Sequence, residues 1–149
     1  MRILIQNVLN AEVTISENSV GKIGRGYCLF VGFTNGDDEK VVEKMANKLL
    51  HARLFPDING KTNLSIFDIN GQILSISQFT LYGSLKEGRR PSFINALEPV
   101  RANELYKYFN YVLEKEGLNV ETGSFGKYME IFLVNEGPFT ILLDSKDLK

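Results

Sequence analysis

Polar and apolar residues alternate early in the chain and then give way to helical spacing. Ala11-Glu12-Val13-Thr14-Ile15-Ser16 alternates with period two, which predicts a half-buried strand. Asn18-Ser19 predicts a turn, and Val20-Gly21-Lys22-Ile23 the returning strand. After Gly24-Arg25-Gly26, the run Tyr27-Cys28-Leu29-Phe30-Val31 is apolar on both faces and predicts a central strand. Asp37 is the expected N-cap of a first helix, with Asp38 and Glu39 in its first turn. Val41, Val42, Met45, Ala46, Leu49 and Leu50 form its apolar stripe. Phe55 to Asn63 is rich in turn formers, and a strand pair is expected to flank Ile69-Asn70-Gly71. A second helix is predicted from Pro99 to Glu116, with Leu105, Phe109, Val112 and Leu113 buried and Gly117 as its stop. Two final strands, Met129 to Asn135 and Phe139 to Asp144, are joined through Glu136-Gly137-Pro138. No internal repeat or linker interrupts this order. It predicts an α+β fold in one domain, 1–149, with a mostly antiparallel sheet and two amphipathic helices.

Three segments break the pattern. In Gln72–Thr80, alternation puts Leu74, Ile76, Gln78 and Thr80 on one face, which begins apolar and ends in an amide and a hydroxyl. That switch describes either a pocket rim or a sheet reaching solvent. In Gly137-Pro138, proline lacks the N–H a central ladder needs, so the pattern reads as a turn with a trans bond. Lys86-Glu87-Gly88-Arg89-Arg90-Pro91 gathers three cations and one anion, which suits either phosphate contact or a solvated loop.

Composition narrows the chemistry. The 149 residues include one histidine, His51, and one cysteine, Cys28. One cysteine forms no internal disulfide, and one Cys with one His cannot build the usual four-ligand zinc site. His51 follows the first helical stripe without a nearby Ser or Asp partner, and reads as a helix-end residue outside any site. Seventeen basic and eighteen acidic residues give a net charge of −1, so any attraction to a polyanion must be local. The longest apolar run, Tyr27 to Phe33, is too short to span a bilayer, and Gln6-Asn7 interrupts the start before a signal-peptide core forms. A cytoplasmic protein without membrane association is expected.

Several segments resemble the D-aminoacyl-tRNA deacylases (D-tyrosyl-tRNA deacylases) over essentially the whole chain. They are Met1-Arg2 with Ile5-Gln6, Gly60–Ser65, Ser77-Gln78-Phe79-Thr80-Leu81-Tyr82, Gly88–Phe93, Thr122–Gly126 with Met129, and Asn135-Glu136-Gly137-Pro138-Phe139-Thr140. The Ser-Gln-x-Thr and Asn-x-Gly-Pro-x-Thr motifs are specific in combination and weak singly. The resemblance implies a homodimer of barrel-like β domains with active sites at the subunit interface, acting on aminoacyl-tRNA without a cofactor or metal. Ser77, Gln78, Phe79 and Thr80 would line the catalytic pocket, and a cis Gly137-Pro138 would enter it from the partner subunit as the chiral selector. Met129 and Phe139 would form pocket wall, and Lys86, Arg89 and Arg90 would contact tRNA. Asn7 stands where the family commonly has Arg, Thr62 where it has Met, Lys127 where it has Ala, Glu136 where it has Asp, and Phe139 where it has Val.

The chemistry follows from those roles. Two carbonyl oxygens turned the same way could hold the substrate ammonium, so that a D side chain leaves toward solvent and an L side chain meets Pro138. Glycine has nothing to exclude, so glycyl-tRNA is an expected second substrate. Backbone N–H groups at Phe79 and Thr80 would stabilise the oxyanion. The activated water would be served by the ribose 2′-OH of the terminal adenosine, with a Thr80 nucleophile as the alternative. Other readings are a non-catalytic nucleic-acid-binding module and an editing enzyme shifted toward glycine or small L-amino acids.

Overall fold

One long strand organises the molecule. In a computed structural model describing residues 1–149, β1 (Arg2–Ile15) pairs antiparallel with β2 (Asn18–Ile23), β3 (Gly26–Gly32) and β8 (Glu130–Asp144). β3 lies along its first half, Arg2 to Val8, and β2 along its second, Ala11 to Ile15. The β1–β2 turn falls at Ser16-Glu17, both at positive φ (48° and 66°), and not at Asn18-Ser19, which already belong to β2. Two successive left-handed residues match the twist of a tight hairpin, and this tertiary pairing decides the register.

Beyond β3 the sheet becomes parallel. α1 (Glu39–His51) carries the chain over to β6 (Gln72–Ser77), parallel to β3, and α2 (Pro99–Lys115) carries it on to β7 (Val120–Thr122), parallel to β6. The expectation of a mostly antiparallel sheet is thereby refined to a mixed, nearly closed six-stranded sheet with two helices. Each helix lies between parallel partners, as such crossovers require.

Several boundaries move. Asp38 caps α1 by accepting from the Val41 N–H, whereas Asp37 is drawn off to the Met1 ammonium at 2.7 Å and the Thr34 N–H at 2.8 Å. No strand pair flanks Ile69-Asn70-Gly71, where a run of turns leads straight into β6. The small pair is instead β4 (Phe55–Pro56) with β5 (Thr62–Leu64), around the turn-rich 57–61. The two expected final strands are one, β8, whose halves pair with the same strand β1. α2 holds as expected: Pro99 sits in its first turn, Leu105, Phe109, Val112 and Leu113 are buried, and Gly117 follows at φ 90°.

The strand alternation divides two cores. Ile3, Ile5, Tyr27, Leu29, Val31 and Ile73 face the helices and meet Met45, Leu49, Leu105 and Phe109. Val8, Val13, Cys28, Leu74 and Ile76 occupy the other face, where Met129, Ile131 and Leu133 from β8 and its approach close over them. Cys28 is fully buried there, and burial pushes its thiol up to about 12. Thiolate is the reactive form. Native protein at pH 8 is therefore expected to resist a thiol reagent for hours and to label stoichiometrically once unfolded in guanidinium. Fast labelling of folded protein would contradict this packing.

Candidate active site

The parallel half of the sheet creates the site. β3, β6 and β7 all point their C-terminal ends the same way, and their chains leave the sheet around one cleft of about 600 Å³. Such carboxyl ends are where parallel sheets open to ligands, because the connecting chains diverge there. Val31, Gly32 and Phe33 come from β3 and its exit, and Ile76, Ser77, Gln78 and Phe79 from β6 and its exit. The approach to α2 adds Phe93 and Ala96 to Pro99, and the approach to β8 adds Phe125 to Met129. Gly32 is needed at this junction: a Cβ there would stand 2.7 Å from the Gln78 carbonyl oxygen.

The Ser77–Thr80 motif is only partly strand. β6 ends at Ser77, and Phe79–Tyr82 form a 3₁₀ turn, so the alternation expected to carry Thr80 onto the Gln78 face stops before it. The Gln78 N–H donates to the Val31 carbonyl at 2.7 Å and pins this exit to β3. Its side-chain amide donates to the Thr80 hydroxyl oxygen. Ser77, Gln78 and Phe79 line the cleft; Thr80 is exposed at its margin and is not part of the lining. Phe79 and Thr80 open the 3₁₀ turn, where an N–H has no acceptor within the turn.

Aromatic residues shape the mouth. Phe79 is 55% exposed and meets Phe93 edge-on, with ring centroids 5.0 Å apart. Phe125 and Tyr128 also line the cleft. Met129 also lines the cleft, where the sequence motif puts a pocket wall, and its sulfur accepts from the Ser124 N–H at 3.4 Å. Phe93, Phe125 and Tyr128 are cleft residues that the sequence pattern does not mark by role; the first two lie within the Gly88–Phe93 and Thr122–Gly126 segments, and membership of those segments is the only signal the sequence offers.

The cleft contains neither histidine nor cysteine, and its charged lining residues are Glu98 and Lys127. His51 lies at the end of α1, with Nδ1 2.9 Å from the Asn47 carbonyl oxygen, apart from the cleft. No group of three or more His, Cys, Asp or Glu side chains comes together as a metal set.

Lys86, Arg89 and Arg90 occupy the exposed loop between the 3₁₀ turn and Phe93. Its neck is tied by paired backbone bonds between Ser84 and Ser92, at 2.9 and 2.8 Å. The loop thus projects from the wall of the cleft, and none of its three cations is engaged in an ion pair.

Gly137 and Pro138 lie elsewhere. Val8 pairs with Asn135 and Gln6 with Thr140, so Glu136 to Phe139 form an excursion opposite Asn7 alone. The Gly137-Pro138 peptide is cis, as the resemblance implies and against the trans turn suggested by pattern alone. Both residues are exposed, and neither they nor Phe139 line the cleft of their own chain. On either side of the excursion β8 presents apolar side chains to solvent: Phe132 at 56%, Val134 at 47% and Leu142 at 52% exposure.

The whole arrangement has close counterparts. A D-aminoacyl-tRNA deacylase of Lactobacillus acidophilus is 52% identical over 144 residues, spanning 97% of this chain and 99% of its own. One from Bacillus pumilus is 48% identical over 147 residues, spanning 99% and 100%. A solved structure titled c-Myc DNA Unwinding Element Binding Protein superposes with a TM-score of 0.90 at 36% identity, over 97% of this chain and 98% of that one. The family model for D-Tyr-tRNA(Tyr) deacylase matches residues 4–144, which include both motif strands, the cleft and the excursion. With that match across nearly its full length, the chain belongs to the D-Tyr-tRNA(Tyr) deacylase family.

Proposed function

We propose that this protein hydrolyses the ester joining a D-amino acid, or glycine, to the 3′-terminal ribose of tRNA, in the cytoplasm and as a homodimer. The observation that carries the reading is the cleft itself: a family-motif strand end, aromatic walls and neither histidine nor cysteine in the lining. A hydrolase built this way relies on backbone groups and on its substrate. The Phe79 and Thr80 N–H groups would receive the oxyanion, a preorganised contribution worth about 3 kcal/mol. The Thr80 hydroxyl oxygen receives a hydrogen bond from the Gln78 amide, and that donor cannot take a proton. Thr80 therefore lacks the base a nucleophile needs, which favours water assisted by the ribose 2′-OH.

Purified protein is expected to cleave D-Tyr-tRNA and Gly-tRNA and to spare L-Tyr-tRNA. A tRNA ending in 2′-deoxyadenosine should be cleaved at least about a hundredfold more slowly, and Thr80→Ala should lose less than about tenfold in kcat. A loss of three or more orders with an acyl-enzyme trapped on the wild type would overturn the RNA-assisted route.

The neighbour titled as a DNA-element-binding protein favours a second reading, a nucleic-acid-binding module without catalysis. The net charge of −1 weighs against broad duplex binding. Absence of cleavage with all three aminoacyl-tRNAs, alongside tight DNA binding, would favour it.

The loop cations carry a separate expectation. Replacing Lys86, Arg89 and Arg90 together by alanine should weaken tRNA binding by about tenfold at ~0.1 M salt and reduce the slope of log K against log salt by about 2. Filter binding across a salt series measures both. An unchanged slope would leave the loop as a solvated surface.

A further inference from the structure

We propose that Arg25 is the positioning residue that holds the Glu136–Phe139 excursion, and so sets how Gly137 and Pro138 are presented; its effect on selectivity rests on the selector reading of that segment. The excursion has lost its ladder to β1, since the register passes from Val8–Asn135 to Gln6–Thr140. Its neck is closed by one atom: Gln6 Oε1 accepts from Asn135 Nδ2 at 2.8 Å and from Thr140 Oγ1 at 2.6 Å. Asn7, directly opposite, is 1% exposed and donates to the Leu54 carbonyl at 2.7 Å, away from the excursion. The hold on the excursion itself comes from β2–β3. Arg25 Nε donates to Glu136 Oε1 at 2.8 Å and Nη2 to Oε2 at 3.2 Å, a two-point contact on the residue preceding Gly137.

Arg25 is itself held on two sides. Its carbonyl accepts from the Gln72 N–H at 3.0 Å, and the Gly24 N–H donates to Gln72 Oε1 at 2.7 Å. Gly26 brings the chain so close to Gln72 that a Cβ would stand 1.8 Å from its carbonyl oxygen. The guanidinium lies over the Phe55 ring at 5.4 Å from its centroid, and Phe55 stacks in the core on Tyr27 at 5.0 Å. A continuous set of contacts therefore runs from the buried Tyr27 through Phe55 and Arg25 to Glu136. A planar two-point contact fixes direction as well as distance, which a lysine ammonium would not do. The pair is partly open to solvent, with side-chain exposures of 40% and 21%, so its loss should act locally and hardly on global stability.

The test uses Arg25→Gln and Arg25→Lys in the full-length protein, with Pro138→Ala alongside. Melting temperature is expected to move by no more than about 2 °C. Amide exchange at Glu136, Gly137 and Phe139 should accelerate by about tenfold in Arg25→Gln, and the preference for D-Tyr-tRNA over L-Tyr-tRNA should fall by about tenfold, with Arg25→Lys failing to restore either. The charge-exchanged pair Arg25→Glu with Glu136→Arg should recover part of both. Unchanged exchange in Arg25→Gln overturns the proposal. Altered selectivity in Pro138→Ala with wild-type selectivity in Arg25→Gln overturns the role of Arg25 and leaves the selector standing. Unaltered selectivity in Pro138→Ala overturns the selector reading, and the exchange rates then decide on Arg25 alone.

Discussion

Phe132→Glu is expected to turn the protein into monomers and to abolish deacylation, although each chain keeps its own cleft intact. Phe132 and Val134 form an exposed apolar pair on β8 just before the Gly137-Pro138 excursion. The excursion does not line the cleft of its own chain. In the proposed homodimer that apolar pair would be covered by a second copy, whose cleft would receive Gly137 and Pro138. A carboxylate buried at the centre of that contact would lack a partner and weaken association by several orders of magnitude. Phe132 is 56% exposed and belongs to neither core, so the monomer should fold with an almost unchanged melting temperature. Light scattering and single-turnover deacylation on the same sample check the expectation. A monomer that cleaves D-Tyr-tRNA at the wild-type rate would show that one chain completes the site alone, and would remove the partner from the mechanism.

Pro138→Ala is the second large effect. If the proline ring is the surface that an L side chain meets, removing it opens that direction while leaving D substrates their route to solvent. Discrimination by exclusion is lost in proportion to the bulk removed. The ratio of kcat/KM for D-Tyr-tRNA over L-Tyr-tRNA should fall by at least tenfold, the equivalent of about 1.4 kcal/mol. The change should come mainly from a rise in L-Tyr-tRNA cleavage, because the Ser77–Phe79 strand exit is untouched. Equal losses with both substrates would assign Pro138 a structural role. Unchanged kinetics with both would remove the selector function from this segment.

The helices show which features were readable locally. In α2, Pro99, the Leu105–Phe109–Val112–Leu113 stripe and Gly117 each act within a turn or two, so propensity and packing agree. In α1 the stripe was equally plain, yet the cap moved from Asp37 to Asp38 because the distant Met1 ammonium claims the Asp37 carboxylate. At Ile69-Asn70-Gly71 the local signal is ambiguous: a left-handed Asn70 at φ 49° serves a turn before β6 as well as it would serve a hairpin. β7 is three residues long, too short for any periodicity to register.

The candidate site divides the same way. The sequence by itself determined the family, through two motifs specific in combination. It also determined an economy of chemistry, since one histidine and one cysteine leave little room for a side-chain nucleophile. Tertiary structure alone decided that Ser77–Phe79 and Met129 share a cleft while Thr80 stands at its margin. It alone separated Gly137-Pro138 from that cleft and supplied Arg25, a residue 111 positions from Glu136, as its hold. The physical reason is that motifs record which residues occur along the chain, whereas clefts and ion pairs arise from strand order. Here β3, β6 and β7 converge only after two helical crossovers, and the Gly24–Gly26 break meets β8 only across the width of β1.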